Sequence, residues 1–173
     1  SGKPAYGVGA GNSYIVIDDT ADIKIAAQNT RMSKTSDFGS GCSADGNIII
    51  QTSIFKTMVQ ALIAEGGYLC SEAEKSALEA VMWDEKGNRT FATIACPPQQ
   101  TAQAAGFTIP ADRKFLMVNN QDQIGTQHKF CKEKLTTLMA LYHFDSFDHA
   151  LKIVSAIYSV GGKGHSCGIY SYN

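Results

Sequence analysis

Phe55, Met58, Val59, Leu62 and Ile63 fall at offsets of 0, 3, 4, 7 and 8, which places them on one face of an α-helix. Gly66-Gly67 should stop that helix. Ser71-Glu72-Ala73-Glu74 reads as a capping box, and Ala77, Leu78, Val81 and Met82 give the apolar face of the helix it opens. Phe147, Ala150, Leu151, Val154, Ile157 and Tyr158 mark the most regular amphipathic helix, ended by Gly161-Gly162. A further helix is expected over 21–34, capped by Asp19 or Thr20 with Asp22 in its first turn. A short one is expected over 99–105, after Pro97-Pro98.

Continuous apolar runs lie between these helices. Tyr14, Ile15, Val16 and Ile17 form one, and Ile48, Ile49 and Ile50 another. Further strands are expected over 90–95, 115–118, 138–144 and 167–172, and 6–11 is a Gly-spaced, strand-like opening. Runs without alternation suit strands buried on both faces. Their alternation with helices predicts βαβ units: an α/β fold with a mainly parallel sheet and helices on both faces.

Composition narrows the function. The chain has 173 residues, 44% hydrophobic and 18% charged, which excludes disorder and suits a single domain over 1–173. With 15 Lys+Arg against 16 Asp+Glu there is no basic field for a phosphate backbone, so no nucleic-acid partner is expected. No apolar run reaches membrane-spanning length, so no membrane association is expected either. The five cysteines are odd in number and scattered, without zinc spacing, so we expect no metal and a reducing, cytoplasmic setting. The chain opens Ser1-Gly2-Lys3-Pro4 with neither Met nor a leader, which suggests a piece of a longer protein.

The chemistry centres on Cys42. It lies in Ser36-Asp37-Phe38-Gly39-Ser40-Gly41-Cys42-Ser43-Ala44-Asp45, a small, polar, Gly-flanked loop between a helix and a strand. Such neighbours leave a thiol accessible and let backbone N–H groups approach a reacting atom. From pattern alone, Cys42 as nucleophile and Cys42 as a small loop residue are equally supported. Cys70, Cys96, Cys131 and Cys167 read as small hydrophobes. Gly7-Val8-Gly9-Ala10-Gly11-Asn12 fails both nucleotide-loop patterns and precedes a strand, so it reads as backbone passing close to a ligand or another segment. His165 sits on a Gly-rich turn and by spacing alone is a solvated loop histidine; His128, His143 and His149 show no metal spacing. Glu133-Lys134 reads as an ordinary surface ion pair.

The ordered set of segments resembles the aldehyde dehydrogenase superfamily, most closely its coenzyme A-acylating branch. It comprises 2–12, Asp18-Asp19-Thr20-Ala21-Asp22, Met32-Ser33-Lys34-Thr35, the Cys42 loop, Glu133-Lys134-Leu135 and Gly161-Gly162-Lys163-Gly164-His165-Ser166. The resemblance implies that Cys42 is a catalytic thiol. It would add to a small aldehyde substrate, pass hydride to NAD or NADP, and hold the acyl group as a thioester. Glu133 corresponds to the family's glutamate on the nicotinamide ribose. Gly9, Gly11 and Asn12 line the site, and His165 is a candidate to assist coenzyme A binding or deprotonation.

Hydrolytic members carry a glutamate about 34 residues before the thiol as general base for water. That position is Val8 here, which implies acyl transfer to coenzyme A as co-substrate. The alternatives are a superfamily member that forms a carboxylic acid and a non-catalytic ligand-binding module. Two departures from the branch, Ser40-Gly41 before the thiol and Thr136-Thr137 after Leu135, point to a small or polar aldehyde of sulfoacetaldehyde or succinate semialdehyde type. Arg31 and Arg113 are the candidate cations for such an anionic substrate. The resemblance also implies that the nucleotide-binding part lies upstream, that the full-length protein is a homo-oligomer, and that 1–173 alone has little activity.

Overall fold

The computed structural model describes Pro4 and residues 11–173. Among the described residues, six strands form one all-parallel sheet. They are β1 (Tyr14–Ile17), β2 (Asn47–Gln51), β3 (Gly67–Leu69), β4 (Phe115–Asn119), β5 (Leu138–Phe144) and β6 (Cys167–Tyr170). Their order is β3-β4-β5-β2-β1-β6. Five helices connect them: α1 (Ile23–Thr35), α2 (Phe55–Ala64), α3 (Glu72–Met82), α4 (Pro98–Ala104) and α5 (Phe147–Val160).

The unbroken isoleucine run of β2 follows from burial on both sheet faces. Ile48 and Ile50 pack with Ala26 and Ala27 of α1 and with Met58, Val59 and Leu62 of α2. Ile49 points the other way, into the layer of Leu78 and Met82 from α3 and Ala150, Ile153 and Ile157 from α5. β4 divides likewise, Phe115 and Met117 to the first layer, Leu116 and Val118 to the second. Helices therefore cover both faces, as the sequence pattern predicts.

Local expectations fail where side chains offer the backbone another partner. Asp22, rather than Asp19 or Thr20, caps α1: its carboxylate accepts from the Ile25 N–H at 3.0 Å, while Thr20 is bound into a turn by Asp18. The capping box of α3 forms as read. Residues 90–95 make a single 3₁₀ turn instead of a strand, because Thr90 Oγ1 donates to the Val81 carbonyl and Arg89 donates to Thr93. β3 has no counterpart in the sequence reading. It starts at Gly67, where a Cβ would come within 2.8 Å of Phe115, Met117 and the Leu62 carbonyl. β6 ends at Tyr170, since the Tyr172 N–H donates to Thr20 Oγ1. The 6–11 strand and the Gly9 and Val8 assignments lie outside the described residues, apart from Gly11.

The topology positions the site. Residues 11–13, 40–46, 132–137 and 162–166 are the segments entering β1, β2, β5 and β6, four neighbouring strands. They gather at the amino ends of the strands, opposite to the carboxyl-end crevice usual in open α/β sheets.

Candidate active site

Cys42 owes its position to a run of unusual backbone. After α1, Asp37 and Phe38 adopt left-handed angles (φ 50° and 51°) and Gly39 follows at 68°. A Cβ on Gly39 would lie 2.5 Å from the Thr136 carbonyl, so the loop can seat against the segment entering β5 only with glycine there. The chain then turns over Gly41, whose amino-acid neighbours leave open space, and returns to β2 through Gly46 N–H donating to the Ser13 carbonyl. Cys42 is exposed on this turn.

Three groups distant in sequence converge on Gly11. Around the point a Gly11 Cβ would occupy, Glu133 Oε1 lies at 2.9 Å, His165 Nε2 at 3.0 Å and the Cys42 Cβ at 3.1 Å. Cys42, Glu133 and His165 thus share one spot, and only an absent side chain makes room for them. Asn12 lines the same recess, but its amide faces inward, donating to the Cys131 carbonyl at 2.8 Å and accepting from Asn47 at 2.7 Å.

Glu133 is half-buried, and burial pushes its carboxyl above the ordinary range. The Gly11 N–H, His165, Lys34 and Lys134 all act against that rise. His165 is half-buried rather than solvated, on a turn with two left-handed glycines, Gly162 (φ 78°) and Gly164 (φ 85°). Its N–H donates to the Gly162 carbonyl at 2.8 Å and its Nδ1 lies 3.1 Å from Ser166 Oγ, which leaves Nε2 toward Gly11.

Several assignments need correction. Glu133-Lys134 is no surface ion pair: Lys134 is 1% exposed, and its amine donates to Asn47 Oδ1 at 2.7 Å. Arg31 binds Glu65 at 2.7 Å, and Arg113 reaches Asp112 and the Ile63 and Gly67 carbonyls near β3, so neither cation serves the Cys42 recess. Cys167 heads β6, outermost of the described strands on its side of the sheet, and is exposed, not packed as a small hydrophobe. Cys70, Cys96 and Cys131 are buried as expected; burial pushes the Cys70 thiol up to about 12.

The structure also adds residues that the sequence pattern passes over. Arg89 donates through Nε to the Lys134 carbonyl at 2.7 Å and through its other nitrogens to Met82 and Thr93, with Trp83 5.0 Å beneath its guanidinium. It holds the 133–135 segment, which turns left-handed at Leu135 (φ 52°). Lys34, in the last turn of α1, is 1% exposed. A gap of about 10 Å³ behind Cys42 is lined by Lys34, Lys134, Glu133 and Gly41 among others. A cleft of about 230 Å³ opens on the other side of Glu133, lined by Gly11, Trp83, Arg89, Lys132 and Gly161. A larger recess, about 590 Å³ beside Tyr158 and Lys163, has none of the three groups around Gly11 among its described lining residues, so size does not mark the chemistry here. Among the described residues no cluster of His, Cys, Asp and Glu is placed to hold a metal, and no helix is long and apolar enough to cross a membrane.

This all-parallel fold is that of the acylating aldehyde dehydrogenases. An acetylating aldehyde dehydrogenase from Geobacillus thermoglucosidasius superimposes on it with a TM-score of 0.92 at 33% identity, over 100% of this chain and 38% of that one. The chain's relatives include aldehyde-alcohol dehydrogenases and acylating aldehyde dehydrogenases. It is 34% identical over 171 residues to the bifunctional aldehyde-alcohol dehydrogenase of Escherichia coli K12, covering 99% of this chain and 19% of that protein. It is 33% identical over 174 residues to the acylating sulfoacetaldehyde dehydrogenase of Cupriavidus necator, covering 99% of this chain and 35% of that protein. The chain thus spans well under half the length of these relatives. No protein-family model matches it.

Proposed function

We propose that this chain is the thiol-bearing part of a coenzyme A-acylating aldehyde dehydrogenase, which turns a small aldehyde and coenzyme A into an acyl-coenzyme A. The convergence of Cys42, Glu133 and His165 on Gly11 carries this reading, and similarity to acylating enzymes over the chain's whole length supports it. The Cys42 sulfur bonds to the aldehyde carbon, and the carbonyl oxygen takes up the charge near the Cys42 backbone N–H. A bound nicotinamide, of NAD or NADP, supplies the hydride acceptor. The cleft of about 230 Å³ lined by Gly11 and Glu133, with the half-buried carboxylate on its wall, fits such a group, and Glu133 would accept from ribose hydroxyls. Loss of hydride leaves the acyl group as a thioester on Cys42. The thiol of coenzyme A then attacks the acyl carbon and expels the Cys42 sulfur, with His165 positioned to take the incoming thiol's proton. The nucleotide-binding part belongs to another region of a longer, homo-oligomeric enzyme that works in the cytoplasm.

The full-length enzyme provides the test. Aldehyde-dependent nicotinamide reduction should require coenzyme A and yield a thioester, and Cys42→Ser should abolish it. A carboxylate formed despite added coenzyme A would establish the acid-forming alternative. The 173-residue chain by itself should read near background, and robust turnover there would refute the division of labour.

A further inference from the structure

Building on the reading that Glu133 holds the nicotinamide ribose, we propose that Arg89 is a positioning residue: its guanidinium keeps Glu133 at Gly11 through the backbone carbonyl of Lys134. The contacts are direct. Arg89 Nε donates to the Lys134 carbonyl at 2.7 Å, one residue beyond Glu133. Nη1 donates to the Met82 carbonyl and to Thr93 Oγ1 at 3.0 Å, and Nη2 donates to the Thr93 carbonyl at 2.8 Å. Trp83 is buried, with its ring centroid 5.0 Å from the guanidinium carbon. One half-buried side chain thus ties the end of α3 and the 91–93 turn to the segment entering β5. Each of these acceptors is neutral, so the fork fixes geometry rather than balancing charge.

The segment needs such a hold. Leu135 is left-handed (φ 52°), and so is Ala95 (φ 51°), whose N–H donates to the Leu135 carbonyl at 2.9 Å. Residues with a Cβ keep that conformation only where their surroundings over-determine it. Arg89 binds the carbonyl just before Leu135, and Thr136 and Thr137 donate to the Cys96 carbonyl just after it, at 3.3 and 3.1 Å. The Lys134 amine is tied separately to Asn47, so Arg89 is left to orient the peptide plane that follows. Turning that carbonyl away would swing the backbone that carries Glu133. The tolerance there is small, because Glu133 Oε1 lies 2.9 Å from where a Gly11 Cβ would be. Trp83, Arg89, Glu133 and Gly11 line one cleft of about 230 Å³, so the support and the supported carboxylate share a wall. Arginine suits this task specifically. Its planar fork reaches acceptors on three segments at once, whereas lysine presents its donors from a single nitrogen.

Steady-state kinetics of the full-length enzyme test this, with Glu133→Gln as the reference variant. Arg89→Lys keeps the positive charge and loses the fork. It should lower kcat/KM for the nicotinamide cofactor about tenfold and leave KM for coenzyme A within about twofold of wild type. In the Glu133→Gln background the same change should cost less than about twofold, because the group it positions is already disabled. A merely structural role would add its full loss in both backgrounds. Full additivity, or an Arg89→Lys enzyme with wild-type kcat/KM for the cofactor, would overturn the role of Arg89 while the reading of Glu133 stands. A Glu133→Gln enzyme with wild-type kcat/KM for the cofactor would overturn the reading of Glu133, and the proposal with it. If Arg89→Lys fails to fold, Thr93→Val removes one acceptor of the fork and keeps the guanidinium. Its loss in cofactor use should be severalfold and should vanish in the Glu133→Gln background. A loss that persists there, or no loss at all, would overturn the proposal.

Discussion

Glu133 Oε1 sits 2.9 Å from the position that a Cβ on Gly11 would take. The close approach, not backbone strain, is what requires glycine there, and the same space receives His165 and the Cys42 turn. In Gly11→Ala the ends of Glu133 and His165 can swing away, but the Cys42 Cβ at 3.1 Å is fixed by its loop. The variant should keep its melting temperature within a few degrees and lose on the order of a hundredfold in turnover of the full-length enzyme, because sub-ångström misplacement of reacting groups is costly. Thermal melting beside steady-state kinetics checks it. Wild-type turnover would show that the three groups need not meet at that point.

Asn47 ties the buried amine of Lys134 to Asn12, accepting at 2.7 Å from one and donating at 2.7 Å to the other. Asn47→Leu leaves an uncompensated buried amine and should cost about 3–5 kcal/mol. The double variant Asn47→Leu with Lys134→Met should recover a large part of that loss. Urea denaturation of the single and double variants measures the coupling, and additive losses would contradict it.

Stability should depend on pH through Lys34. Its amine is held at about 8 in the fold, against an ordinary 10.5 in the unfolded chain. Between these values the unfolded chain binds more protons, so stability rises with pH over that window; below about 8 the full cost of burying the charge remains. Lys34→Met should therefore stabilise the chain by about 1–3 kcal/mol at pH 7, with the gain fading toward pH 10.5. Asp45, whose carboxyl burial lifts to about 6, acts in a lower window: its contribution is full below its ordinary 3.8 and is lost as pH rises through about 6. Burial also lowers the Lys134 amine and raises the Cys70 thiol, so it is the difference between wild type and Lys34→Met in denaturant melts from pH 7 to 10 that isolates Lys34. A Lys34→Met gain that stays constant over that range would contradict the assignment.

Thiol counting separates the cysteines. Cys42 and Cys167 are exposed, and Cys70, Cys96 and Cys131 are buried. Two thiols should label in the native chain and three only on unfolding, as read by intact mass. Labelling of Cys131, whose Sγ lies 2.8 Å from the His128 carbonyl it donates to, would show that the segment leading to Glu133 opens readily.

The strongest local signals were all legible in the chain. The Phe55-to-Ile63 stripe, the Ser71–Glu74 box and the isoleucine run of β2 became the elements they predict. Periodicity and capping act over a few residues, so they can be read in one dimension. The Gly-flanked turn at Cys42 was equally visible, because small residues and exposure are local properties. Residues 90–95 and Gly67 misled for the opposite reason. What decided them was a set of distant partners: Val81 for Thr90, and Phe115 with Met117 for Gly67.

Sequence by itself determined that alternating helices and doubly buried strands must stack as a parallel α/β sheet, and that Cys42 would lie on an accessible turn. Only the tertiary structure decided what stands around it. Glu133, His165 and Gly11 meet at Cys42 because β5, β2, β1 and β6 are neighbours whose entering segments share one end of the sheet. Lys34 and Lys134 look like ordinary surface cations in one dimension and are sealed beneath the thiol in three. Burial of a charge depends on which segments close over it, and strand order, which no local pattern encodes, settles that.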